Sequence, residues 1–228
     1  MSHGGKFGFS WSDEIQRAPL SLTKRYVGVA TGNIGDAMHR LRMMDPGIKP
    51  VGDGCVFAGS AFTVKVPPTD NLMVHVALNL LQPNDVLVVD TGGDISHAIV
   101  GEIMTSVARG RGAVAVVIDG AVRDVHALRQ IGFPVFARGV CPKGPLKDGP
   151  GEVNVTVQCG GLVISPGDIV IGDDDGIAVV PLAQGEEVLK AALDIQTREE
   201  KRLKMIAAGD LSNPSMEKYL REKGLFPL

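Results

Sequence analysis

Three residues of this 228-residue chain have types and neighbours that point to chemistry: Glu102, Arg123 and Asp124. Arg123 and Asp124 close the run Asp119-Gly120-Ala121-Val122-Arg123-Asp124, which follows an apolar stretch and leads into a helix predicted from about Val122. An aspartate at a helix start suits the helix dipole, and capping plus an ion pair would account for it. An arginine there opposes the dipole, so local stability gives no reason for it. A guanidinium aimed at a developing oxyanion, beside a carboxylate that holds a cation, gives a reason for both. An earlier loop, Asp90-Thr91-Gly92-Gly93-Asp94, leads to Gly101-Glu102-Ile103-Met104. Glycine at that helix start would let the free N–H groups of residues 102–104 approach a small carboxylate closely. A plain loop-to-helix transition has the same form.

Further candidates stand apart in the chain. Asn71 and His75 are four residues apart and share a helix face, where they could orient a substrate's far carboxylate or a relay water. A satisfied structural histidine is the competing reading. Glu199 lies on a helical face with Val188, Ala192, Ile195, Leu203 and Ile206. An acid on an apolar stripe is usually paired or a ligand, unless it snorkels at a subunit interface. Lys65 is the nearest Schiff-base candidate and reads as an exposed strand residue, while His126 points elsewhere around its helix. The turn Asp173-Asp174-Asp175-Gly176 lacks the spacing of a calcium loop and reads as a hairpin tip.

These residues need elements to hold them. Strands are predicted over 56–66, 86–90, 113–118 and 134–137, with helices over 70–81, 101–109 and 122–131 between them. That alternation implies an α/β fold with a mostly parallel sheet. Earlier, Tyr26 to Ala30 reads as a short strand and Ile34 to Met44 as a helix capped by Asn33. Later come short β segments over 153–157, 162–164, 169–171 and 177–180, then helices over 184–208 and 215–223. No linker or repeat divides the chain, so one domain over 1–228 is expected, with a core of about 27–182 and a C-terminal helical arm of about 183–228.

Composition removes several classes of function. A net charge of −3 and only 4% aromatic residues leave no footprint for nucleic acid or for anionic lipid. Cys55, Cys141 and Cys159 have no C-x-x-C spacing, which argues for a reducing compartment and against a zinc knuckle. No 18-residue apolar run or leader-like segment is evident, so a cytoplasmic, non-membrane protein is expected. No G-x-G-x-x-G follows a strand, which disfavours a nucleoside cofactor.

Glu102, twenty intervening residues and Arg123-Asp124 together resemble the acid-x20-Arg-Asp signature of the 4-hydroxy-4-methyl-2-oxoglutarate / 4-carboxy-4-hydroxy-2-oxoadipate aldolases. These share a superfamily with the regulator of ribonuclease E activity A. Gly35-Asp36-Ala37, the 70–75 and 82–89 segments, Gly132 to Phe136, Pro166-Gly167-Asp168 and the 173–176 turn are similar to family segments as well. The family pattern often has Asp where this chain has Glu102. The resemblance implies a three-layer β/β/α swivelling-domain-like core with mixed sheets, assembled as a trimer or hexamer. It implies a metal-dependent aldolase that makes a pyruvate enolate, with Mg2+ or Mn2+ as cofactor and oxaloacetate decarboxylation as a companion activity. Asp124 is then the direct metal ligand and Arg123 holds the enolate oxygen. Backbone amides of Gly101, Glu102, Ile103 and Met104 hold the carboxylate. Glu102 and Glu199 act through water, with Glu199 supplied by a neighbouring subunit. A non-catalytic, protein-binding regulator is the alternative from another class.

Overall fold

Strands of the central sheet are buried on both faces, which is why their sequence runs as unbroken aliphatic stretches rather than as strict alternation. The computed structural model describes residues 7–12 and 14–225. In chain order the first elements are β1 (Phe9–Trp11), α1 (Leu20–Tyr26), α2 (Thr31–Ala37) and β2 (Lys49–Pro50). The centre comprises β3 (Phe57–Lys65), α3 (Leu72–Leu80), β4 (Asp85–Asp90), β5 (Ala98–Val100), α4 (Glu102–Gly110), β6 (Ala115–Val122), α5 (Val125–Ile131) and β7 (Val135–Val140). Then follow β8 (Gly151–Val153), β9 (Val157–Cys159), β10 (Leu162–Ile164), β11 (Ile169–Asp173) and β12 (Gly176–Val180). Two helices end the chain, α6 (Gly185–Ala207) and α7 (Pro214–Glu222).

β3, β4, β6 and β7 lie side by side and parallel, as right-handed β–α–β crossovers require. Antiparallel partners complete a mixed sheet: β11 and β8 on β3, β12 on β11, and β2 on β7. β9 and β10 form a separate ribbon. Alternate residues of the central strands feed different cores. Leu87, Val89, Val116 and Ile118 pack toward the core that α3, α4 and α5 cover. Val86, Val88, Ala115 and Val117 face a second β layer that includes Val157, Ile164, Val170 and Val179. The outer face of that layer, with Ile169, Ile171, Ala178 and Val180, is covered by α1, α2 and the first half of α6. The chain thus has the expected β/β/α core, with further helices on the outer β face.

Several local expectations are corrected. Tyr26 ends α1 instead of opening a strand, because its buried ring donates its hydroxyl to the Gly185 carbonyl at 2.6 Å. The helix expected over 34–44 is α2, which starts at Thr31 after Ala30, so Asn33 lies inside it rather than capping it. It stops early because His39 and Arg40 take positive φ of 56° and 65°, turning the chain so that Met43 can bridge to Ala178. The β segment expected over 153–157 is broken, since Asn154 also has positive φ and separates β8 from β9. The hairpin at Asp173 to Gly176 is present between β11 and β12, and its acids bind backbone: Asp173 holds Thr31, and Asp174 holds the amides of Gly54 and Cys55.

Along α6 the environment changes. Val188, Leu189 and Ala192 are buried, whereas Leu203, Met205 and Ile206 are exposed. Among the described residues no helix is long and apolar enough to cross a membrane.

Candidate functional site

β5 and β6 end side by side, with Val100 opposite Val122, and the Arg123 amide donates to the Val100 carbonyl at 3.1 Å. Gly101 and Arg123 therefore leave neighbouring strands one rung apart. β6 runs through Val122, so the predicted loop over 119–124 shrinks to Arg123 and Asp124, and α5 begins at Val125. The strand persists because β5, three residues long and not anticipated from sequence, pairs with its end beyond a register shift. Arg123 thus stands at a strand end and not within a helix.

Asp124 has φ 61° and ψ 34°, a left-handed conformation that Asp tolerates better than most side chains. Its carbonyl accepts from the Leu128 amide at 3.0 Å, which starts α5. Its carboxylate turns the other way. Oδ2 accepts the Glu102 amide at 3.1 Å and lies 3.6 Å from Arg123 Nε. Asp124 therefore caps α4, not the helix it precedes, and no hydrogen bond engages Oδ1 among the described residues. Gly101, the residue before α4, makes this possible. A Cβ on it would lie 2.4 Å from Asp124 Oδ2 and 3.0 Å from Arg123 Cγ.

In front of this pair lies a cleft of about 190 Å³. Ala98 to Gly101, Ile103 and Met104 line it together with Arg123, Asp124, Asn71, His75, Pro145 and Lys147. Asn71 is only 3% exposed; its Nδ2 donates to the Ile99 carbonyl at 2.8 Å, while its Oδ1 is buried without a partner. His75 Nε2 is likewise buried without a partner. Burial, and then the nearby charge of Lys147, hold the His75 ring below the usual histidine range, so it is neutral near pH 7.

Seven of the sequence-nominated residues line this cleft: Asn71, His75, Gly101, Ile103, Met104, Arg123 and Asp124. Glu102 and Glu199 do not. The Glu102 side chain is exposed at the start of α4 while its amide holds Asp124, and Glu199 is exposed on the protruding part of α6. The anion cradle expected over 101–104 is narrower than predicted, because Asp124 takes the first amide and leaves those of Ile103 and Met104. Sequence reasoning missed β5 and Lys147. The signal for Lys147 was present: two lysines in the Gly/Pro-rich stretch 142–150 mark a loop, where binding residues concentrate.

No three His, Cys, Asp or Glu side chains cluster as metal ligands among the described residues. A dedicated all-protein cage is therefore not the arrangement here. Asp124 Oδ1 at the cleft wall, with Glu102 one helix residue beyond Gly101, suits a hard cation that keeps most of its waters and needs one or two carboxylates. Mg2+ and Mn2+ fit that description.

The family model described as RraA-like, Aldolase/RraA, matches residues 31–179. A Halalkalibacterium halodurans protein provisionally named 4-hydroxy-4-methyl-2-oxoglutarate aldolase is 36% identical over 193 residues, covering 85% of this chain and 92% of its own. Among solved structures, one from Pseudomonas syringae pv. tomato is 27% identical with a TM-score of 0.78, covering 86% of this chain and 93% of that one. The structure of Streptomyces coelicolor RraAS2, described as an unusual member of the RNase ES inhibitor RraA family, is 28% identical with a TM-score of 0.76, covering 83% and 98%.

Proposed function

The chain belongs to the Aldolase/RraA family, and we propose that within it the protein is a divalent-metal-dependent aldolase, a carbon–carbon lyase. It would cleave 4-hydroxy-4-methyl-2-oxoglutarate or 4-carboxy-4-hydroxy-2-oxoadipate type acids to pyruvate and a second keto acid, and decarboxylate oxaloacetate. The observation that carries this reading is that Arg123 and Asp124, together with the start of α4, line one small cleft. The aldolase-named relative supports it.

Cleavage of the C3–C4 bond leaves its electron pair on C3, as the pyruvate enolate, while the 4-hydroxyl proton departs and C3 is reprotonated afterwards. The cost is negative charge building on the keto oxygen. Arg123 donates to that oxygen, and a preorganised donor of this kind is worth about 10²–10³ in rate. The amides of Ile103 and Met104, at the positive end of α4, bind the C1 carboxylate. Mg2+ or Mn2+ held by Asp124 would supply a Lewis acid at the same oxygen. Glu102, with Glu199 from a neighbouring subunit, holds water at the site, and Asn71 and His75 orient the substrate's far end. The apolar, exposed outer part of α6 supports packing in a homotrimer or homohexamer. A cytoplasmic location fits the three free cysteines.

The test is pyruvate release from 4-hydroxy-4-methyl-2-oxoglutarate and from oxaloacetate, with Mg2+ or with chelator, in wild type and Asp124→Asn. Asparagine keeps the left-handed backbone and an oxygen for the Glu102 amide, so the fold is retained while the charge is lost. Metal-dependent release that falls by about 10² or more in the variant is expected. Equal release in chelator overturns the metal reading. If no keto acid reacts, the non-catalytic regulator reading, favoured by the RNase-inhibitor relationship of one structural neighbour, takes its place.

A further inference from the structure

β6 does not run straight into the cleft. Its regular pairing with β4 ends where Asp90 lies beside Asp119, and its regular pairing with β7 ends at Ile118 and Ala137. The next rung on the β7 side joins Ala121 to Gly139, so Asp119 and Gly120 together oppose Arg138 alone. Such a bulge is rare between parallel strands, and bulges recur beside active sites, where they re-aim a side chain. Beyond it β6 gains a new neighbour, β5, and only Ala121 and Val122 separate the bulge from Arg123. The bulge is therefore the joint between the regular core strand and the strand end that carries the arginine.

Asp119, 6% exposed, holds this joint by its side chain and its backbone. Oδ1 accepts from Arg138 Nε, and Oδ2 accepts the Gly160 amide at 2.7 Å. Its carbonyl accepts from the loop after β4, from Thr91 Oγ1 at 2.7 Å and from the Gly93 amide at 3.1 Å. A Cβ on Gly120 would lie 2.6 Å from Thr91 Oγ1, so that loop is closed against the joint. Apolar side chains of similar volume often replace a buried ion pair at no cost in stability, so stability alone does not account for charges here. Geometry does. β6 carries Arg123, and the chain leaving β7 reaches Gly144, where a Cβ would lie 3.1 Å from Arg123 Nη1. A bridge between the two strands fixes the guanidinium relative to the chain it packs on.

We propose that Asp119 and Arg138 are positioning residues for Arg123: their ion pair across the bulge, with Thr91 behind it, sets where the strand end places the guanidinium. Neither residue touches the substrate. The effect on chemistry rests on the reading above, in which Arg123 meets the keto oxygen, whereas the effect on the place of Arg123 does not.

Two readouts on the full chain test it: the nitrogen–proton resonance of Arg123 Nε, assigned by its loss in Arg123→Lys, and kcat and KM for oxaloacetate in Mg2+ per folded protein. Asp119→Asn and Arg138→Met should both move the resonance and lower kcat by about 10-fold with KM within about 2-fold, the mark of a group that acts in the transition state. Arg138→Lys, which keeps a cation for Asp119, should restore most of both. Arg17→Met is the control, because it breaks another buried pair, Arg17 Nε to Asp85 Oδ1 at 2.8 Å, at the opposite, amino end of β4. It should lower the melting temperature and leave the resonance and kcat unchanged. If Arg138→Met does not fold, the milder Asp119→Asn decides. A resonance unmoved in folded Asp119→Asn, a kcat that falls only with the folded fraction, or an equal effect of Arg17→Met overturns the proposal. Should wild type cleave no keto acid while the resonance still follows Asp119 and Arg138, the aldolase reading fails and the positioning of Arg123 stands.

Discussion

Replacing Gly101 by alanine would put a methyl carbon 2.4 Å from Asp124 Oδ2 and 3.0 Å from Arg123 Cγ. Contacts below 3.0 Å essentially never occur, so the carboxylate must recede by no less than about 0.6 Å, the difference between the two figures. The Glu102 amide already reaches Oδ2 at 3.1 Å, and a further shift of that size takes the bond beyond hydrogen-bond range. Gly101 itself has φ −140° and ψ −164°, extended backbone open to alanine, so no strain arises on the main chain. The fold therefore loses one helix cap, worth about 1 kcal/mol, and melts lower by roughly 2–4 °C for a domain of this size. The chemistry loses more, since misplacing a reacting group by about 1 Å costs on the order of 10² in rate. Thermal unfolding and steady-state pyruvate release on the same Gly101→Ala preparation measure the two effects separately. Activity within about 3-fold of wild type would refute the idea that the Asp124 position is set by contact with Gly101. Activity lost only in proportion to unfolded protein would refute it equally.

Two further outcomes follow. Because the folded-state pKa of His75 is lowered by burial and by Lys147, the unfolded chain binds a proton more readily, and stability is lost as pH falls below the ordinary value of 6.5 toward the depressed one. His75→Gln should flatten that part of the stability profile, read as urea midpoints between pH 7.5 and 5; an unchanged slope would show that His75 is not its source. If Glu199 reaches a neighbour's Asp124, Glu199→Ala and Asp124→Ala chains, each inactive alone, should recover activity when refolded together, to roughly a quarter of wild type for random pairing. Absence of any recovery would mean that each chain supplies its own site.

The parallel core was legible because its strands are long and aliphatic and its helices carry clear turns between them. β3, β4 and α3 lie within a residue or two of their predicted bounds. Elements fixed by tertiary contact were not legible. Ala98 to Val100 is too short to carry a period and becomes β5 only because β6 offers it an edge. The early end of α2 depends on positive φ at two successive residues, His39 and Arg40, and arginine is not among the types enriched there. At the site, Arg123 and Asp124 stood out by their charges, but the dipole argument set both at the start of α5, whereas Arg123 follows the end of β6 and the Asp124 carboxylate caps α4. That cap was not legible, because it joins residues 22 apart in sequence through one carboxylate oxygen. Lys147 could be marked as a loop residue, but its place at the cleft was not legible, since the loop is held by the buried Asp70 carboxylate through the amides of Asp148 and Gly149.

The pairing of Val100 with Val122 gives the interval between Glu102 and Arg123 a meaning beyond composition. Those twenty residues are one outward helix and one returning strand, so they act as a tape measure that brings Arg123 back beside the point of departure. Substitutions within the tape are tolerable wherever burial is kept. A one-residue deletion absorbed by β6 would instead turn the Arg123 side chain to the opposite face of the sheet, with the rest of the core still able to form. For this family, then, gaps and insertions inside the interval are a sharper warning of lost chemistry than differences in the residues that fill it.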